Sequence, residues 1–249
     1  MNYQDINSKT IDSWVDEGWE WGTPISHEEF RKVKQGDWKM VLTPLRPVPK
    51  AWYPELKGAA VLGLASGGGQ QMPIFAALGA NCTVLDYSKK QLESERMVAA
   101  REGYEIDVVH ADMTKPLPFA DESFDLIFHP VSNCYIEDVR HVWRECYRIL
   151  KPGGRLMAGL DNGMQYLIDW DKTEIKYRLP YNPLKDKALY EQALKENDGV
   201  QFSHTLDEQI RGQLQAGLQM MDVFEDYCTE GTFQKFNIPA FWATLMEKS

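Results

Sequence analysis

The chain has 249 residues, enough for the core of one α/β domain, and 43% hydrophobic residues, which excludes an intrinsically disordered protein. Its 27 basic and 37 acidic residues give a formal net charge of −10, so we expect neither nucleic acid nor an anionic membrane surface as a partner. Glycines and glutamines interrupt the uncharged stretch of residues 58–85, which excludes a membrane span there, and four widely spaced cysteines without a C-x-x-C pair favour a reducing, cytoplasmic location.

Residues 1–57 are predicted to form a helical segment that precedes the main domain. A helix is expected over about residues 8–17, and Ser26 with Glu29 forms a capping box that opens a second helix. The segment holds five of the eight tryptophans of the chain: Trp14, Trp19, Trp21, Trp38 and Trp52. Two interpretations stay open: the segment is a lid that covers a binding site, or it packs against the domain as part of the core.

Over residues 58–249 short apolar runs alternate with helical stretches, which is typical of βαβ units around a parallel sheet. Strands are predicted at about residues 60–65, 82–86, 106–110, 124–129 and 155–160, with helices between them at about 70–78, 89–101 and 138–150. Ser88 and Gln91 form a capping box for the second of these helices, and the sequence Pro152-Gly153-Gly154 is predicted to end the third.

Residues 161–200 interrupt this alternation and are predicted to be an insertion of helix or loop that shapes a pocket. The aromatic residues of the insertion are Tyr166, Trp170, Tyr177, Tyr181 and Tyr190. Thr205 and Glu208 then cap a helix that reaches about residue 216, and two last strands are expected near residues 219–226 and 241–247.

The first predicted strand runs directly into a glycine-rich turn, Gly67-Gly68-Gly69, which a helix follows. Such a turn lets a ligand approach the backbone closely, and the helix N-terminus offers unpaired N–H donors. Asp86 ends the next strand 17 residues further on, near the spacing at which a carboxylate accepts hydrogen bonds from both ribose hydroxyls. The pattern predicts a site for a nucleoside-containing cofactor, and a tight turn with only a structural purpose is the alternative.

Two further motifs favour the nucleoside site. Asp112 and Met113 follow the third strand, where the carboxylate can accept from an adenine amino group while the methionine covers the ring. The junction from Arg148 to Gly154 stands just before the fifth strand. NAD is a rival ligand because the same turn and Asp86 would suit it, but NAD does not explain these two motifs together.

These motifs resemble those of the class I S-adenosylmethionine-dependent methyltransferases, in their small-molecule, methyltransferase type 11-like branch. The resemblance rests on residues 62–69, 86–88 and 148–154, and it covers residues 59–160 well. It implies a Rossmann-like, doubly wound α/β fold whose seven strands are mostly parallel with an antiparallel last strand. It also implies S-adenosyl-L-methionine as cofactor and S-adenosyl-L-homocysteine as product. The implied cofactor-binding residues are Ala65, Ser66, Gly67, Gly69, Gln70, Asp86, Tyr87, Ser88, Asp112, Met113 and His129.

The chain departs from the glycine motif of that family at two positions. Gly63 stands where the family has an acidic residue, so the methionine ammonium must find its partner elsewhere, for example at Gln70, at Gln71 or in the N-terminal segment. Ala65 stands where the family has its first glycine, and we expect this change to be mild provided that φ stays negative there.

By the same resemblance we predict methyl transfer to a small-molecule acceptor by in-line displacement. His129, after the fourth strand, is the candidate catalytic residue, and a histidine that holds the turn by backbone hydrogen bonds is the alternative. Trp19, Asn133, Tyr135 and His204 are candidate contacts of the acceptor. No metal site is predicted, because the fourth-strand carboxylate of metal-assisted methyltransferases is missing.

Two other functions stay open. A catalytically silent module that binds S-adenosylmethionine or S-adenosylhomocysteine fits the glycine at position 63, and an NAD-binding oxidoreductase fits the glycine turn. The sequence His129-Pro130-Val131-Ser132 stands where nucleobase N-methyltransferases carry Asp-Pro-Pro-Tyr or Asn-Pro-Pro-Tyr, which disfavours DNA and RNA as substrates. We expect a monomer or a homodimer.

Overall fold

A seven-stranded sheet forms the centre of the computed structural model, which describes residues 2–168 and 174–249. The strands are β1 (Ala60–Leu64), β2 (Asn81–Asp86), β3 (Asp107–His110), β4 (Phe124–His129), β5 (Leu150–Asp161), β6 (Leu218–Tyr227) and β7 (Pro239–Lys248). Their order is β3-β2-β1-β4-β5-β7-β6, in which the pairs among β1 to β5 are parallel and β7 is antiparallel to both of its neighbours. The predicted fold class, a doubly wound α/β sheet with one antiparallel last strand, is confirmed.

Helices cover both faces of this sheet. They are α1 (Tyr3–Asp16), α2 (His27–Lys34), α3 (Met72–Ala77), α4 (Lys89–Glu102), α5 (Val139–Ile149), α6 (Lys187–Glu196), α7 (Gly212–Gln215) and α8 (Gly231–Lys235). Val61 of β1 belongs to the same core cluster as Phe75 of α3, whereas its neighbour Leu62 belongs to that of Trp143 in α5. Because successive side chains of a strand point to opposite faces, this division means that both faces are buried.

The strand order places the loops after β1 and β4 side by side. The chain runs outward from β1 to β2 and β3, then returns to pair β4 with the other edge of β1. Open α/β sheets bind their ligands at such a reversal, outside the carboxyl ends of the strands. The glycine turn after β1 and the segment after β4 therefore face the same crevice.

Two element boundaries differ from the sequence prediction. Helix α1 begins at Tyr3 rather than near residue 8, because the side chain of Asn2 accepts a hydrogen bond from the backbone N–H of Asp5 and caps it. The stretch Pro152-Gly153-Gly154 does not end α5, which stops at Ile149, but lies inside β5. The register between β4 and β5 shifts at this stretch. A strand tolerates proline at such an irregularity, because the residue there does not have to donate a backbone hydrogen bond to the neighbouring strand.

The second half of the chain contains further differences. The reciprocal hydrogen bonds of the Thr205 and Glu208 capping box are present, but the helix they open begins with a π-helical turn, Asp207–Arg211. The predicted insertion at residues 161–200 contains α6, which the side chain of Asp186 caps. Trp170, which the sequence analysis assigned to this insertion, lies outside the described residues.

The N-terminal segment divides between the two interpretations given above. Its later part is core, since Val33, Leu42 and Trp52 are buried with the strands. Its first helix, α1, borders the crevice instead. In the part of the chain that the structure describes, no helix combines the length and the hydropathy that crossing a bilayer requires.

Candidate functional site

A cavity of about 1190 Å³ lies at the carboxyl ends of β1, β2, β4 and β5. Sites for one small molecule commonly measure about 300–1,000 Å³, so this cavity has room for two ligands side by side. The predicted site residues in its wall are Trp19, Ala65, Ser66, Gly67, Gln70, Asp86, Tyr87, Ser88, Asp112, Met113 and Tyr135. The predicted residues outside its wall are Gly69, His129, Asn133 and His204.

The glycine turn is shaped by the residues that pack against it. A Cβ atom at Gly67 would lie 2.6 Å from Cβ of Gln91 and 3.0 Å from Oδ2 of Asp86, so only glycine fits. Ala65 adopts φ of +48°, which corrects the expectation of a negative φ and places a methyl-bearing residue in the left-handed region. Strain of this kind concentrates at functional sites, where the surrounding structure holds it.

Asp86 joins the turn to the end of β2. Its Oδ2 accepts a hydrogen bond from the backbone N–H of Gly67 at 3.0 Å, and its Oδ1 accepts one from that of Ser88 at 2.9 Å. Burial raises the pKa of this carboxyl, although the two backbone hydrogen bonds oppose the effect. The backbone of Tyr87 also hydrogen-bonds to this carboxylate, which has about four acceptor positions, so a remaining position can receive a ligand hydroxyl from the cavity.

A buried carboxyl that the sequence analysis missed supports the turn from below. Glu95 of α4 is fully buried, and its Oε1 accepts from the backbone N–H of Gly69 at 2.7 Å. Burial raises its pKa to about 8, so the group is protonated at neutral pH. The periodicity of α4 contained the signal, because Glu95 occupies the same helical face as the buried Leu92 and Val98.

The space beside Gly63 is filled by the side chain of Met72, whose sulfur a Cβ atom at position 63 would overlap. The acidic side chain of the related motif would therefore find no room here. Gln70, considered above as a substitute, donates its amide to the carbonyls of Glu20 at 2.7 Å and Thr23 at 2.9 Å. Its amide nitrogen thus attaches the N-terminal segment to the glycine turn.

Helix α1 covers the side of the cavity near β2. The carboxylate of Asp5 accepts from the hydroxyl of Tyr87 at 2.8 Å, and the hydroxyl of Ser8 donates to the Tyr87 carbonyl at 2.8 Å. One turn later, Asp12 accepts from the hydroxyl of Ser88 at 2.6 Å. These contacts hold α1 over the loop that follows β2.

The same helix also reaches the opposite side of the cavity. The amide of Asn7 donates to the carbonyls of Tyr135 and Val200, both at 3.0 Å, and its Oδ1 accepts from the Val200 N–H at 2.6 Å. The indole of Trp14 lies 6.3 Å from the ring of Tyr135. Helix α1 therefore crosses the cavity from the loop after β2 to the segment after β4.

His129 lies beneath the cavity rather than in its wall, in contrast to its predicted role. The residue is fully buried, with Nδ1 2.8 Å from the carbonyl of Leu64 and Nε2 2.8 Å from Oδ1 of Asn133. Burial lowers its pKa, although the hydrogen bonds to Leu64 and Asn133 oppose the effect. Asn133 and His204 are buried in the same way, since Nε2 of His204 lies 3.0 Å from the carbonyl of Asn133. Gln209 of the π-helical turn accepts from the Asn133 amide at 3.1 Å.

The far wall of the cavity comes from the end of β5 and the segment after it. Asp161 is 4% exposed, and its two oxygens accept from the backbone N–H of Gly163 and from the amide of Gln165. Burial raises the pKa of this carboxyl to about 6. The rings of Tyr166 and Tyr181 stack beside it with their centroids 5.2 Å apart. The sequence analysis placed these residues in the insertion at 161–200 that is predicted to shape a pocket, but it named none of them as a site residue.

Most of the charged side chains that line the cavity are acidic. They are Glu17, Glu20, Asp86, Asp112, Asp161, Glu196, Asp198 and Glu230. Lys176 is the one lysine or arginine among the described lining residues. No cluster of three histidine, cysteine or carboxylate side chains suited to a metal ion occurs in residues 2–168 and 174–249.

Comparisons with known proteins agree on one family. The family model described as a methyltransferase domain matches residues 62–158. The uncharacterized methyltransferase YbaJ of Bacillus subtilis (strain 168) is 41% identical over 227 residues, which are 88% of this chain and 89% of that protein. The demethylmenaquinone methyltransferase of Clavibacter sepedonicus is 37% identical over 100 residues, 40% of each chain. A crystal structure of an S-adenosylmethionine-dependent methyltransferase from Mesorhizobium loti has a TM-score of 0.63 at 21% identity and covers 80% of this chain and 95% of its own.

Proposed function

This chain belongs to the class I S-adenosylmethionine-dependent methyltransferases, and on that premise we propose that it methylates a small molecule enclosed in the cavity described above. The observation that carries the proposal is the size of the cavity, about 1190 Å³, which helix α1 crosses from Tyr87 to Tyr135. A methyltransferase needs space for both cofactor and acceptor, and a helix across that space favours a small acceptor over a macromolecular one.

The residues around the glycine turn fit S-adenosylmethionine. Gly67 lines the cavity and lies so close to Gln91 and Asp86 that a Cβ atom would clash with both, and Asp86 keeps acceptor capacity for a ribose hydroxyl. The buried Oε1 of Gln91, which lines the cavity, has no hydrogen-bond partner among the described residues, so a donor group of the ligand would satisfy it. Asp112 and Met113 would hold the adenine.

When bound, the cofactor supplies a methyl group that its sulfonium already activates for displacement. The protein's own task is then to align the acceptor, exclude water and hold both ligands in line. The backbone of the segment after β4 is suited to this task because other elements hold it: the carbonyl of Cys134 accepts from the N–H of Phe202 at 2.7 Å, and that of Tyr135 from Asn7. His129 takes no part as a base, because protein groups occupy both of its ring nitrogens.

The test follows the methyl group. The protein is incubated with cofactor that carries a labelled methyl group and with fractionated cell extract, and we expect label in a low-molecular-weight product that resists protease and nuclease. The variant Asp86→Ala, under the same conditions, is the matched control and should transfer much less label at limiting cofactor. Binding of S-adenosylhomocysteine is measured in parallel by calorimetry.

The outcomes separate the candidate functions. Label in protein or nucleic acid would refute a small-molecule acceptor. Tight binding of S-adenosylhomocysteine without transfer to any fraction would instead indicate the silent binding module, which the filled space beside Gly63 allows. The dinucleotide alternative is disfavoured because the matched family and the relatives are methyltransferases.

A further inference from the structure

The cavity has an end that the cofactor residues do not reach. In the sheet, β5 lies three strands from β2, and neighbouring strands are about 4.8 Å apart, so Asp161 at the end of β5 lies about 14 Å across the sheet from Asp86. Asp161 also lies beyond the segment that follows β4, next to Cys134, whose pKa its charge helps to raise. The side chains at this end of the cavity are therefore the ones that we expect to contact the acceptor.

Asp161 is a buried carboxyl for which the described residues supply no cationic partner. Among residues 2–168 and 174–249, the groups that donate to it are neutral, namely the backbone N–H of Gly163 and the amide of Gln165. A carboxylate at 4% exposure is costly to keep charged unless a positive group or further donors approach it. Because Asp161 lines the cavity, the acceptor can supply that group.

Three tyrosine rings lie at this end of the cavity, and Tyr166 is close enough to Asp161 for the charge of the carboxylate to help raise the pKa of its phenol. Tyr166 and Tyr181 are stacked with an interplanar angle of 24°, and Tyr177 meets Tyr181 edge-on at a centroid distance of 5.6 Å. All three side chains line the cavity. The face of an aromatic ring attracts a cation, and the attraction strengthens where water is excluded.

The charges and the polar atoms of the cavity wall also favour a cationic ligand that donates hydrogen bonds. Eight acidic residues against Lys176 disfavour an acceptor that carries a carboxylate or a phosphate. The ammonium of Lys176 lies 4.7 Å from the centroid of the Tyr177 ring, so the face of this ring attracts a cation. Thr43, 2% exposed and part of the same wall, has a hydroxyl with no hydrogen-bond partner among the described residues. A ligand that donates hydrogen bonds would satisfy it.

We propose that the methyl acceptor is an amine, which binds as an ammonium ion against Asp161 and the faces of the neighbouring tyrosines. The inference rests on the proposed function and names its substrate class. Before transfer the ammonium gives one proton to the carboxylate of Asp161, which frees the lone pair of the nitrogen. That pair forms the new N–C bond as the C–S bond breaks, the bonding electrons stay on sulfur, and the product leaves as a methylated ammonium ion.

The experiment compares two probes of nearly equal shape, benzylamine and benzyl alcohol, by calorimetry with the protein saturated with S-adenosylhomocysteine. At neutral pH only the amine is charged, and we expect it to bind at least about tenfold more tightly. The variant Asp161→Asn should abolish this preference and leave the affinity for S-adenosylhomocysteine unchanged. Glu230→Gln, which removes an exposed acid of the same wall, is the matched control and should keep the preference.

Labelled methyl transfer to the two probes gives a second readout, and we expect label only in the amine. Equal affinity for amine and alcohol, a preference that survives Asp161→Asn, or no measurable binding of the amine would each overturn the inference. Binding of S-adenosylhomocysteine is measured first in the same samples. Its absence would refute the cofactor site, whereas its presence together with a failed amine comparison would refute the amine assignment alone.

Discussion

Replacing Asp86 by alanine removes one side chain that supports the glycine turn and also faces the cavity. Its carboxylate accepts from the backbone N–H groups of Gly67 and Ser88, at 3.0 and 2.9 Å, and keeps further acceptor positions for a ligand. The substitution should therefore weaken both the fold and the binding of the cofactor. Because these two effects have different causes, they can be measured separately.

The two magnitudes follow from the contacts. Two buried N–H groups lose their acceptor, and each unsatisfied group costs about 1–3 kcal/mol of stability. The variant no longer has to bury a carboxylate, and this gain offsets part of the loss. We expect the free energy of unfolding to fall by about 2–3 kcal/mol, so the domain stays folded. The lost charge-assisted hydrogen bonds to the ribose should weaken cofactor binding by about 1.5–3 kcal/mol, roughly 10- to 150-fold in Kd.

Calorimetry with S-adenosylhomocysteine measures the affinity, and urea unfolding measures the stability. Asp226→Ala is the matched control. Like Asp86, Asp226 accepts hydrogen bonds from two backbone N–H groups, here those of Leu45 and Arg46. Its side chain is 2% exposed and does not line the cavity. This control should lose a similar amount of stability and keep its affinity for S-adenosylhomocysteine. Unchanged affinity in Asp86→Ala, or an equal loss of affinity in the control, would refute the ribose assignment.

Three other substitutions test the framework of the site. His129→Ala should lower the free energy of unfolding by about 2–4 kcal/mol and leave the Kd for S-adenosylhomocysteine within about twofold, because the buried ring holds Leu64 and does not face the cavity; normal stability with lost turnover would contradict this. In the folded chain Glu95 has a pKa of about 8 against an ordinary value of 4.5, so it binds a proton that the unfolded chain releases, and stability should fall as pH rises through this range. Urea unfolding from about pH 5.5 to about pH 8 should show a loss of about 3 kcal/mol that Glu95→Gln removes, and a parallel pH dependence in the variant would count against the buried proton. Ala65→Gly should raise the free energy of unfolding by about 0.5–1 kcal/mol by relieving a φ of +48°, whereas Gly103→Ala at a φ of +73° should lower it by about 1 kcal/mol; the same sign for both would reject this explanation.

Local patterns were sufficient to predict most of the elements. Strand β4 has the predicted bounds, Phe124–His129, and α4 begins at the predicted Lys89 because Ser88 caps it. These features depend on contacts between residues a few positions apart, which the order of residues encodes directly. The Pro152-Gly153-Gly154 stretch shows where such reasoning fails. Its residues are typical of a helix end, but they lie inside β5, where the register with β4 shifts between Leu150 and Arg155.

The cofactor side of the candidate site was predicted far better than the acceptor side. Ala65, Asp86 and Met113 each follow a strand of a parallel sheet, so the topology alone brings them to one edge. Asp161 ends β5 and Tyr166 belongs to the insertion predicted to shape a pocket, but nothing in their spacing indicated that they would share a wall. For them the fold had to be known first.

The amino-acid order alone was enough to establish the family, the doubly wound sheet and the edge at which ligands bind, since each follows from short motifs and from the alternation of strands and helices. It was not enough to tell which polar side chains enter the cavity and which support it from below. His129 and Asp161 both end strands. The ring of His129 is held beneath the cavity by the carbonyl of Leu64, which lies 65 positions away in the chain, whereas Asp161 lines the cavity wall. The surroundings of a side chain depend on distant segments that only folding brings together, and these surroundings set its burial, its pKa and the partners it can bind.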